Sequence, residues 1–172
     1  MKIIYVHHAQ RDKGHPSTQE DGITALGIKD AEIVAELLSK LNEKQKITAI
    51  YSSPFFRCME TSRIINLKIN VPVFQEPRFN EFGSVALTLN NEASHKENWS
   101  SCQDRIKQAL LDIIQNYDEN DTIVCVTSGV NLSAFISLFY NIPSSDDLPF
   151  PLVPSCSPIG FDIKKSDFLS KL

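Results

Sequence analysis

The chain has 172 residues, 42% of them hydrophobic and 22% charged, which suits one domain burying roughly 70% of its unfolded surface in a single core. Its 17 basic and 21 acidic residues give a net charge of −4, which argues against broad nucleic-acid binding because that requires a basic face. No segment approaches a membrane span and the N-terminal apolar run is too short for a signal-peptide core, so membrane partners are not expected either.

The first element is the apolar run "KIIYV", a short buried strand. It leads into "HHAQRDKGH", which holds three of the four histidines. Next comes "TALGIKDAEIVAELLSKLN", where Ala31, Val34, Ala35 and Leu38 recur at helical spacing and Thr24 is placed to cap. "ITAIYSS" reads as a second strand. "SPFFRCMETSRII" reads as a helix, with Ser53 at the N-cap and Pro54 at the first helical position. "VPVFQ" is a third strand, followed by a polar excursion over about 81–100. Ile106, Ala109, Leu110, Ile113, Ile114 and Tyr117 mark a third, amphipathic helix. "DTIVCVTS" is a fourth strand and "GVNLSAFISLFY" a fourth helix, with "PIGFDI" as a last strand. Alternating strands and helices predict an α/β fold with a mostly parallel sheet, in which ligands bind beyond the carboxyl ends of the strands. His7, His8, Ser52, Ser53 and the segment from Thr127 to Gly129 all occupy such ends.

Cys58, Cys102, Cys125 and Cys156 are scattered without a CxxC pair and read as reduced structural thiols, so the expected setting is the cytoplasm. His7, His8, Asp12 and His15 offer nitrogen and oxygen donors. Their spacing matches no regular metal scheme, and neighbours leaving a strand point apart, so no metal and no cofactor is expected. The chain lacks a glycine-rich nucleotide loop, and "VTSGV" lacks the GxSxG nucleophile elbow. A histidine nucleophile remains.

"YVHHAQRD", "ITALGIKDA", "YSSPFFRCMETSRII", "RFNEFGSV" and "IVCVTSGVNLSAFI" occur in this order, and the series resembles the phosphoglycerate mutase-like histidine phosphatases. The resemblance runs from residue 2 to about 140. It implies a three-layer α/β/α sandwich formed by residues 1–172 as one domain, with the polar stretch 81–100 as an insertion. It further implies phosphatase chemistry, in which His8 is the nucleophile that becomes phosphohistidine, Arg57 grips the phosphate, and Glu81 donates and accepts the proton. A neutral imidazole can attack phosphorus, a guanidinium fork neutralises phosphoryl oxygens, and a protonated carboxyl can supply the leaving alkoxide. The short excursion argues against mutase activity.

Three positions depart from the family pattern, of which Ala9 for glycine is mild because the resemblance allows alanine there. His7 stands where the family has arginine, and Ser128 where it has histidine. His7, Ser128 and Gly129 are expected to contact phosphate together with Arg57, and Arg11, Lys13 and His15 to line the entrance. The alternative for His7 is a hydrogen-bonded residue turned away from the site, and for Ser128 a helix N-cap. Losing one preorganised donor costs roughly 10²–10³ in rate. The expected function is therefore binding of a small phosphorylated substrate with slow monoester hydrolysis. Its alternative is a pseudophosphatase serving as a phosphoryl-ligand sensor or protein-interaction module. With both imidazoles starting near a pKa of about 6.5, turnover is expected to peak on the acidic side of neutrality. Substrate identity and oligomeric state have no signature in the sequence.

Overall fold

Burial on both faces of the first strand sets the architecture. In the computed structural model, which describes residues 1–12, 20–82, 97–147 and 153–169, strand β1 (Lys2–His7) sends Ile3 and Tyr5 into one core cluster and Ile4 and Val6 into another. Lys13, His15 and residues 83–96 of the polar excursion lie outside the described residues. A strand apolar on both faces needs a helical layer on each side. Helices α1 (Ala25–Asn42) and α2 (Phe56–Ile69) cover the Ile4 and Val6 face through Ala31, Val34, Leu38, Cys58 and Ile65. Helices α3 (Trp99–Gln115) and α4 (Leu132–Phe139) cover the other through Ile106, Leu110, Ile114, Leu132 and Phe135. A short C-terminal helix, α5, spans Lys165–Leu169.

The remaining strands are β2 (Ile47–Ser52), β3 (Val73–Gln75), β4 (Thr122–Thr127) and β5 (Pro158–Asp162). Their order in the sheet is β3-β2-β4-β1-β5, with only β5 antiparallel. The expected three-layer α/β/α sandwich is the observed fold. Its register brings the functional segments level: His7 lies opposite Thr127, and Ser52 opposite Val126. The ladder continues one residue further, His8 N–H donating to Thr127 O and Ser53 N–H to Val126 O, both at 2.9 Å. His8, Ser53 and Ser128 therefore leave the same end of the sheet.

The helix starts differ in part from the sequence expectation. Thr24 caps α1, its hydroxyl accepting from Gly27 N–H at 3.0 Å. Ser53, expected as the cap of α2, accepts from Phe55 N–H at 3.4 Å while donating its hydroxyl to Asn80 Oδ1 at 2.9 Å, and the helix itself begins at Phe56. One hydroxyl thus serves the helix entry as acceptor and a buried tertiary partner as donor. Helix α3 begins inside the expected excursion, with the Asn98 side chain accepting from Ser101 N–H at 2.8 Å. The segment before α4 opens with a 3₁₀ turn over Gly129–Asn131, and Ser128 precedes it without a capping bond from its side chain.

Gly27 lies against the loop that follows β1: a Cβ there would sit 2.5 Å from the carbonyl oxygen of Gln10. Replacing a helical glycine by alanine normally gains up to about 1 kcal/mol in propensity. Overlap with buried backbone costs about 1–3 kcal/mol, so the sign should reverse here. Gly27→Ala is expected to lower the urea midpoint of the folded protein. A midpoint equal to or above that of the natural sequence would show that α1 can shift away from Gln10 freely.

Candidate active site

His8 is 6% exposed and both ring nitrogens are engaged. Nδ1 lies 2.8 Å from the carbonyl oxygen of Ala9, and Nε2 lies 3.1 Å from Arg57 Nε. A carbonyl only accepts and a guanidinium N–H only donates, so the two contacts specify one form of the ring. Nδ1 carries the proton and donates it to Ala9, and Nε2 is a lone pair accepting from Arg57. Burial, followed by the neighbouring His7 imidazole, pushes the His8 pKa down to about 3. The ring is neutral throughout the physiological range. The two imidazoles therefore do not titrate together near 6.5, as the sequence had suggested.

Arg57 is fully buried in the first turn of α2. The helix dipole disfavours a cation there, and an unpaired buried charge is costly. Partners offset that cost. Besides His8, Arg57 Nη2 donates to Glu81 Oε2 at 2.7 Å, and the guanidinium carbon lies 4.6 Å from the centroid of the Phe55 ring. Thr61, one turn along α2, donates its hydroxyl to Arg57 O at 2.7 Å and accepts from Ala9 N–H at 2.9 Å. One side chain thus pins both the arginine turn and Ala9, the residue whose carbonyl orients His8. From the other side, Thr24 N–H and the Thr24 hydroxyl bond to Gln10 O and Oε1, both at 2.9 Å.

Glu81 is presented by the preceding two residues, which are held by the end of β4. Thr127 Oγ1 donates to Phe79 O at 2.6 Å, and Asn131 Nδ2 donates to the same oxygen at 3.0 Å. Asn80 O accepts from Arg105 Nη1 at 3.2 Å, while its side chain accepts from Ser53.

Strand alternation sends His7 to the opposite side from His8. Its Nδ1 lies 3.0 Å from Val153 O and 3.2 Å from Pro154 O, so Nδ1–H is the donor. The ring packs so closely on Gly129 that a Cβ there would lie 2.9 Å from Cε1. Beyond the strand end the two imidazoles meet edge to face, with centroids 4.6 Å apart. Burial lowers the His7 pKa, opposed by the Val153 and Pro154 carbonyls and by the Glu81 charge. Ser128 is buried, its Oγ has no partner among the described residues, and its carbonyl accepts from the Tyr5 hydroxyl at 3.0 Å. Arg11 is paired with Asp21 at 2.9 Å, and its charge helps to hold His8 neutral. Lys13 and His15 lie outside the described residues. Among the described residues no three His, Cys, Asp or Glu side chains gather as a metal-binding group.

His8, Arg57 and Glu81, distant in sequence, thus form one chain of contacts, with His7, Ser128 and Gly129 at the same strand ends. Sequence reading missed Thr61, Asn80, Asn131 and the Val153 and Pro154 carbonyls. Buried polar residues beside a candidate catalytic position were the available signal for the first three. A backbone carbonyl has none.

A neutral buried imidazole also ties stability to pH. His8 binds a proton near pH 6.5 when unfolded but only near pH 3 when folded, so between these values the unfolded state holds more protons. Stability should be fully present above about pH 6.5 and fall on acidification, by up to about 1.4 kcal/mol per pH unit from this group. Urea midpoints measured from pH 7 down to pH 4 should fall more steeply for the natural sequence than for His8→Asn. Equal slopes would mean that His8 is charged in the folded protein.

The histidine phosphatase superfamily (branch 1) model matches residues 6–171. A search of curated proteins finds no match. Among solved structures the chain is similar to Bacillus stearothermophilus YhfR, at 19% identity with a TM-score of 0.73, covering 95% of this chain and 91% of that one. It is similar to the protein histidine phosphatase SixA, solved with tungstate, at 12% identity with a TM-score of 0.68, covering 96% and 90%. It is also similar to a mycobacterial glucosyl-3-phosphoglycerate phosphatase, at 18% identity with a TM-score of 0.69, covering 92% and 88%. Identities this low speak for the fold, whereas the family match spans nearly the whole chain. The chain belongs to the histidine phosphatase superfamily, branch 1.

Proposed function

We propose that the protein binds small phosphate monoesters and hydrolyses them slowly through a phosphohistidine on His8. The observation that carries this reading is the form of the His8 ring: a buried neutral imidazole with its Nε2 lone pair against the Arg57 guanidinium. Without a ligand, Arg57 occupies the lone pair that would attack phosphorus. A phosphoryl group entering there would take the Arg57 donors onto its oxygens and leave Nε2 free. Attack forms the Nε2–P bond as the ester P–O bond breaks, and Glu81, a carboxylate at rest that takes a proton from solvent for this step, gives it to the leaving alkoxide. Water then attacks phosphorus, Glu81 accepts the water proton, and cleavage of the N–P bond returns the lone pair to His8. No step calls on a metal or cofactor.

Slow turnover follows from the departures. Arg57 is opposed by the Glu81 carboxylate, His7 is a poorer cation than arginine, and Ser128 offers one hydroxyl where a second imidazole is the family pattern. Two missing donors at roughly 10²–10³ each, partly compensated, suggest a deficit of about 10⁴. The same cancelled charge supports the second reading, a pseudophosphatase that senses a phosphoryl ligand or presents an interaction surface. The named relatives include phosphatases of a protein histidine and of a phosphorylated sugar acid, and the phosphoryl group is what those substrates share. Four buried free cysteines support a reducing, cytoplasmic setting.

A panel of monoesters assayed from pH 5 to pH 8 should give turnover that survives EDTA and disappears in His8→Ala. His7→Arg and Ser128→His should each raise it by about tenfold or more, and together by more than their product, because both act on one bound group. A folded double variant no faster than the natural sequence would place the deficit elsewhere and favour the sensor reading.

A further inference from the structure

Among the described residues, the charges around His7 leave a bound phosphate uncompensated. His8, the residue that follows β1, is neutral. Arg57 on α2 and the Glu81 carboxylate form an ion pair, so their charges cancel at 2.7 Å. Arg11 is likewise matched by Asp21. The 3₁₀ turn beneath the ring contributes Gly129 and the carbonyls that accept from the Tyr5 hydroxyl, and Tyr5 stays neutral because burial raises its pKa. The segment after residue 152 contributes the Val153 and Pro154 carbonyls and the buried Cys156, whose thiol burial pushes up to about 12. Among the described residues, then, no excess positive charge faces this ring. The carbonyl pair holds the proton on Nδ1, which leaves Nε2 as the atom that titrates, and it has no hydrogen-bond partner among the described residues.

We propose that the site takes up one proton with each phosphate group it binds, and that this proton lodges on Nε2 of His7. The inference rests on the phosphate reading above and deepens it. With arginine at this position the site would carry a permanent charge and accept the dianion directly. With His7 it binds the dianion together with a proton, and Nε2–H then donates to a phosphoryl oxygen while Nδ1–H stays on the carbonyls. His7 turns from a lone pair that repels the anion into a cation that holds it. Affinity would therefore be strongest in acidic surroundings and fade as the pH rises.

Calorimetric titration with tungstate tests this, since tungstate does not itself protonate near neutrality. In buffers of different ionisation enthalpy at about pH 8, the natural protein should take up close to one proton per tungstate bound. Between about pH 7 and pH 9 the dissociation constant should rise about tenfold per pH unit. His7→Arg and His7→Gln should both remove the proton uptake and flatten the slope, the first with tighter and the second with weaker binding at pH 8. Glu81→Gln should keep both the uptake and the slope. Tungstate binding that is independent of pH would overturn the inference while leaving the phosphate site intact. Loss of proton uptake in Glu81→Gln, with retention in both His7 variants, would overturn it by moving the proton to the carboxyl. Failure of the natural protein to bind tungstate or inorganic phosphate at any pH would overturn both the inference and the phosphate reading.

Discussion

A fully buried guanidinium is the constraint on which the rest of the site depends. Arg57 cannot remain charged in the interior without partners, and those the fold supplies are the candidate catalytic groups. One N–H goes to the lone pair of His8 and another to the carboxylate of Glu81, while the Phe55 ring covers a face. Satisfying the arginine therefore fixes the tautomer of the candidate nucleophile and the position of the candidate proton donor. Removing any one partner would leave a buried charge or acceptor exposed to the others. The geometry of the site is in this sense a requirement of folding.

The scaffold delivers those partners by register. Parallel strands β1, β2 and β4 end level, which brings His8, Ser53 and Ser128 to one edge of the sheet. Strand alternation separates the neighbouring histidines, His8 toward α2 and His7 toward the start of α4. The two then differ because their Nδ1 protons are held by different carbonyls: Ala9 for His8, and Val153 and Pro154 for His7. The first carbonyl belongs to His8's own loop, pinned by Thr61, so His8 is set rigidly. The second pair comes from a distant segment that also receives β1 through Cys156 N–H, which donates to His7 O at 3.0 Å.

Much of this was legible in the sequence. The unbroken apolar runs of β1 and β4 required two covering layers, and Ala31, Val34, Ala35 and Leu38 are the residues that α1 buries. The resemblance picked out His8, Arg57 and Glu81, and the structure links them in contact. Ser53 was read as a helix cap because local chemistry favours it there; its oxygen does accept from Phe55 N–H, but the helix begins at Phe56, and the tertiary bond to Asn80 had no local signal. The pKa separation of the two imidazoles was also beyond sequence, since desolvation depends on packing. The same holds for the fixing of each ring by a backbone carbonyl. The physical reason for glycine in "TALG" appears only when α1 is seen against Gln10.

The central claim is that the fold holds His8 as a neutral imidazole with the proton on Nδ1 and the lone pair on Nε2. Nitrogen-15 NMR of the histidine rings in the intact, ligand-free protein measures this directly. The account predicts one protonated and one unprotonated nitrogen for His8, the protonated one being Nδ1, with shifts unchanged from pH 5 to pH 8. A His8 ring that titrates near pH 6.5, or that carries its proton on Nε2, would contradict it.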